Sequence, residues 1–113
     1  MTKTSLAVAA LALGSLFTAS AMAKDVDLKA CTADGNTATL TAHFNDEALK
    51  HNPELPKQLN AVFVDTAKGM PAKTFTSDEG GQAFLRKALD LDHLLYRHVN
   101  FTSDPIITPG CSL

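Results

Sequence analysis

The sequence predicts an α+β fold: a small, mainly antiparallel sheet, made of a β-hairpin and a C-terminal strand, with two helices on one face, in the order β-β-α-α-β. Three observations lead there. Two alternating stretches flank an Asp-Gly pair, two stretches of helical spacing fill the middle, and a run of strand formers lies near the end. Strands grouped at the ends of a chain with helices between them pack as layers, the helices covering one face of the sheet.

The hairpin comes first. Val26, Leu28 and Ala30 alternate with Asp25, Asp27 and Lys29, the period of a half-buried strand. Ala33-Asp34-Gly35-Asn36 follows, and Asp-Gly favours a tight turn. Ala38, Leu40, Ala42 and Phe44 then alternate with Thr37, Thr39, Thr41 and His43, which places Leu40 and Phe44 on the buried side.

A short helical turn is expected within residues 45–51. Asn52-Pro53 reads as the start of the first helix, with Asn at the N-cap and Pro at the first helical position. Leu55, Leu59, Val62, Phe63 and Thr66 fall at helical spacing. Lys68-Gly69 ends it, with Gly placed for a left-handed cap and Pro71 beyond. The second helix starts near Thr76, where Thr76 and Glu79 have capping-box spacing. Ala83, Phe84, Ala88 and Leu91 form its inward stripe, and Arg86 and Lys87 face water. Residues 94–101 (LLYRHVNF) read as the C-terminal strand, and Ile106-Ile107 as a further extended piece.

The first 23 residues stand apart from this domain. Lys3 precedes an apolar run of 12 residues, 6–17, and a small-residue segment ends in Ala21-Met22-Ala23. That arrangement reads as a secretory signal peptide, with cleavage expected after Ala23. The run is shorter than the roughly 20 residues that cross a bilayer, so no stable membrane anchor is expected after cleavage. Residues 24–113 then form a single α+β domain, periplasmic or secreted. Lys3 leaves with the signal, so that domain keeps 9 basic against 12 acidic side chains, a formal charge of −3. Nucleic acid and anionic lipid are excluded as partners, because both select a positive surface. Cys31 and Cys111 remain, without C-x-x-C spacing. In an oxidising compartment they are expected to pair as a disulfide that staples a small core.

No constellation for catalysis stands out. His43, His51, His93 and His98 lack the i, i+3 or i+4 spacing of a helical metal site. If their strands were neighbours, His43 and His98 would meet; the expectation is nevertheless surface histidines and no metal or cofactor. Asp90-Leu91-Asp92-His93 puts two carboxylates beside a histidine, yet adjacent helical residues do not share a face. Ser77, Ser103 and Ser112 lack the G-x-S-x-G pattern of a nucleophile elbow. The chain is therefore expected not to be an enzyme.

Lys73-Thr74-Phe75-Thr76-Ser77-Asp78-Glu79-Gly80, with Phe84-Leu85 and Leu89 following, resembles the segment that leads into the last helix of the flagellar basal-body-associated FliL family. Residues 99–107 (VNFTSDPII) resemble that family's closing strand, and the preceding strand and helix match in order and length, so the resemblance spans residues 37–107. It implies a stomatin-like α+β fold and a periplasmic interaction role without catalysis. Members of that family keep an N-terminal membrane anchor. This chain's leading segment reads as cleaved, so the flagellar partner is not carried over.

The expected function is an exported, non-catalytic protein-interaction module whose partner is another protein, a second copy of the chain included. Two alternatives stand beside it. One is an inhibitor of a secreted hydrolase such as a lysozyme or protease, which the acidic balance suits. The other is a carrier of a small ligand or metal.

Overall fold

The structure, a computed structural model, describes residues 23–113. The expected signal segment, apart from Ala23, lies outside the described residues. Four strands form one antiparallel sheet: β1 (Lys24–Cys31), β2 (Thr37–Phe44), β3 (Val99–Phe101) and β4 (Ile106–Thr108). Five helices lie between β2 and β3: α1 (Asp46–His51), α2 (Leu55–Ala67), α3 (Ala72–Phe75), α4 (Asp78–Leu91) and α5 (Leu95–His98). The α+β class holds, with more pieces than the sequence pattern announced. Among the described residues no helix is long and apolar enough to cross a membrane.

The hairpin forms as the alternation requires. Leu28 pairs with Leu40 and Ala30 with Ala38, and all four are buried on the helix-covered face. The other face is polar and open: Thr41 Oγ1 donates to Asp27 Oδ1 at 2.8 Å, and His43 Nδ1 meets Asp25 Oδ1. The turn depends on Gly35, whose φ of +83° lies where side chains are strained. Asp34 Oδ1 accepts the Thr32 hydroxyl at 2.6 Å and the Ala72 N–H at 3.0 Å, so the turn also ties down the start of α3.

Several local expectations are corrected. The first long helix starts at Leu55, not Pro53. Asn52 is used otherwise: its N–H closes α1 onto Ala48 O, and its Oδ1 accepts the Glu54 N–H. Gly69 is not left-handed; the end of α2 tightens instead through bonds from Gly69 N to Thr66 O and from Met70 N to Ala67 O. The Thr76–Glu79 capping box does not form. Thr76 Oγ1 donates to Ala72 O, because residues 72–75 make the separate helix α3, and α4 begins after Ser77. Residues 94–101 are only partly strand: Leu95–His98 is a helical turn. Asp92 Oδ1 accepts the Leu94 N–H there and sets the turn, and Leu95 and His98 are buried three residues apart, at helical spacing.

The core is one cluster between sheet and helices, with Phe44, Leu59, Phe63 and Leu95 fully buried. A chain of edge-to-face aromatics crosses it: Phe75 to Phe63 at 5.2 Å, Phe63 to Phe84 at 5.4 Å, Phe84 to Phe101 at 5.8 Å. Each such contact adds about 0.5–1.5 kcal/mol beyond the area it buries. The chain links α2, α3 and α4 to the last strands. Cys31 and Cys111 are joined with their Cα atoms 5.7 Å apart, closing 80 residues, as expected.

Candidate functional site

A split in the sheet opens a cleft. β3 pairs with residues 42–44 of β2 and β4 with residues 37–39, which leaves Leu40 and Thr41, paired with β1 on one side, without a register partner on the other. Four residues, 102–105, span a gap that regular pairing would fill with two, so they arch away from the sheet. The first turn of α4 lies opposite, and its Gly80 and Gly81 have no side chains to close the space. The result is a cleft of about 550 Å³. Leu40, Phe63 and Phe84 form its apolar depth, and Thr102, Ser103 and Asp104 its polar rim.

The two glycines serve this site differently. A Cβ on Gly80 would run into the backbone of Phe75, so α3 and α4 cross at a distance that only glycine permits. A Cβ on Gly81 would meet nothing within 4 Å; the position is exposed at the cleft mouth. A concave apolar surface with a few polar groups at its edge suits an apolar side chain or a small amphipathic molecule. The aromatic depth of the cleft had no signature in the sequence, because Phe84 and Phe101 read simply as core positions. Four residues where two would fit became visible only with the register.

The other singled-out residues fall as follows. His43 and His98 do not meet. His43 lies on the open face of the sheet opposite Asn100, whereas His98 is buried in α5 at 4 % exposure. Asp90 and His93 are exposed. Asp92 is largely buried and accepts from His98 Nδ1 through Oδ2 at 2.7 Å. Burial pushes the Asp92 carboxyl up. The hydrogen bonds from His98 and the Leu94 N–H, together with His98 and His93 nearby, outweigh it and hold the carboxyl below its ordinary value. The Ser77 and Ser103 hydroxyls donate to the carbonyls of Thr74 and Asp104. No family model, no curated protein and no solved structure matches the chain.

Proposed function

We propose that this chain is a non-catalytic protein-interaction module of the periplasm or extracellular space, exported by its first 23 residues. The cleft seats an apolar side chain of the partner. The observation that carries this reading is the Phe-lined cleft opened by the arch at residues 102–105. The disulfide fits an oxidising compartment. The resemblance of residues 37–107 to the FliL family points the same way. The cleft volume lies within the range of small-ligand pockets, which favours a carrier of a small apolar molecule as second reading.

A photoreactive residue at Ser103, on the cleft rim, is compared in the native host with one at Thr39, on the open sheet face. The expected result is a crosslinked protein from Ser103 that disappears with Gly81→Trp, which fills the mouth. A small molecule retained by the purified chain, with no crosslinked protein, selects the carrier. Equal crosslinking from Thr39 places the interface elsewhere, and no adduct with no retained molecule sinks both readings.

A further inference from the structure

A second, smaller cavity of about 320 Å³ lies at the other end of α4, lined by His51, Asn52, Asp92, His93 and His98 among others. His51 ends α1, His93 follows the end of α4, and His98 ends α5, so three helix ends bring three imidazoles to one opening. The buried one is oriented. An ionised Asp92 only accepts, so His98 Nδ1 is its donor and carries the proton. In neutral His98 the lone pair is therefore on Nε2. Among the described residues Nε2 has no protein partner, and no polar side-chain atom is sealed off without one. His98 lines the cavity with the ring edge that Asp92 does not hold left without a partner among the described residues.

Metal-binding imidazoles almost always donate their other ring N–H to a carboxylate, a backbone carbonyl or water, as His98 donates to Asp92. The spacing of a second ring agrees. Metal–nitrogen bonds of about 2.0–2.1 Å put two rings sharing one ion about 4.5 Å apart, centre to centre, when they bind at a right angle. Rings that bind opposite one another are about 6.4 Å apart, the arrangement that the spacing here approaches. The His51 and His98 centroids lie 6.1 Å apart. Among the described residues no three His, Cys, Asp or Glu form a ready cage, so water must complete the coordination.

We propose that His98 Nε2 and the His51 ring hold one divalent cation of the imidazole-preferring class, Cu²⁺ most tightly, with Asp92 as the positioning residue that fixes the His98 tautomer. Imidazole suits Cu²⁺, Ni²⁺ and Zn²⁺, and among these divalent ions affinity peaks at Cu²⁺. Mg²⁺ and Ca²⁺, which take oxygen ligands, are not expected to bind.

The test is calorimetric titration of the oxidised, signal-free protein with Cu²⁺, followed by Cu²⁺ line broadening of the histidine ring protons in NMR. One equivalent binds, and the His51 and His98 rings broaden before His43. Because His51 is exposed, His51→Ala keeps the fold and weakens binding at least about tenfold, two ligands becoming one. Asp92→Asn presents an amide that donates to Nδ1, moves the proton to Nε2, and weakens binding about 10–100-fold. His43→Ala, on the far face, binds as the parent does. Absence of binding, unchanged affinity in His51→Ala, or loss of the site in His43→Ala overturns the proposal. The cleft experiment is independent of each of these results.

Discussion

Gly80 and the backbone of Phe75 approach so closely that no side chain fits between them, and the crossing of α3 with α4 rests on that contact. Gly80→Ala forces the two helices apart at the back of the aromatic chain, with an expected loss of about 1–3 kcal/mol. Gly81→Ala, one residue on and in open space, instead gains helix propensity, up to about 1 kcal/mol. Urea unfolding of the two variants should therefore move in opposite directions. Equal effects would mean that α3 and α4 do not cross as described.

Phe84 touches both Phe63 and Phe101 edge to face and is almost wholly buried. Phe84→Ala should cost about 3–5 kcal/mol, the range for a buried Phe. Phe84→Leu, which fills much of the same space, should lose well under half of that. Chemical denaturation with an unchanged m-value separates lost packing from a changed unfolded state.

The disulfide closes 80 residues. Constraining a loop of that length stabilises by roughly 4.5 kcal/mol in the chain-entropy account. Reduction, or Cys31→Ser with Cys111→Ser, should lower the melting temperature by up to about 18–36 °C in a domain of this size. Scanning calorimetry with and without reductant checks it, and an unchanged melting point would remove the disulfide from the account of stability.

Acid should weaken the fold through Asp34 and Asp65. The Thr32 hydroxyl and the Ala72 N–H hold Asp34 below its ordinary value of 3.8, and Lys87 and Lys68 do the same for Asp65. A carboxyl whose folded value is lowered binds fewer protons folded than unfolded in this range. Its stabilisation is complete above 3.8 and is lost as pH falls below 3.8 through the lowered folded value. Asp34→Asn can still accept the Ala72 N–H but does not titrate, so stability measured from pH 5 downward should fall less steeply. An identical acid limb in the variant would contradict the Asp34 contacts.

The hairpin was legible in the sequence because strict alternation and Asp34-Gly35 are local signals that burial then reinforced. Phe63, Phe84 and Ala88 were likewise legible as helix faces. What was lost lay in competition between local hydrogen bonds. Thr76 had the spacing of a cap but bonded back to Ala72, and Asn52 served α1 before it could serve α2. Strand propensity in residues 94–98 lost to the Asp92 turn and to the burial of Leu95 and His98. Neither cavity was legible. The cleft depends on a mismatch of chain length across the gap between β3 and β4, and the imidazole cluster on the end of α1 meeting the ends of α4 and α5, which lie far along the chain from it.

The cysteine link also decides how the domain would carry a mechanical load. Tension applied between Lys24 and Leu113 runs along β1, crosses the sulfur bridge at Cys31, and leaves by the two residues after Cys111. Only the eight residues of β1 can be peeled off β2 by such a pull, while everything from β2 to β4 hangs outside the line of force. Such a pull therefore lengthens the molecule by the reach of one strand at most, and it meets resistance from Leu28 and Ala30, which the core holds in place.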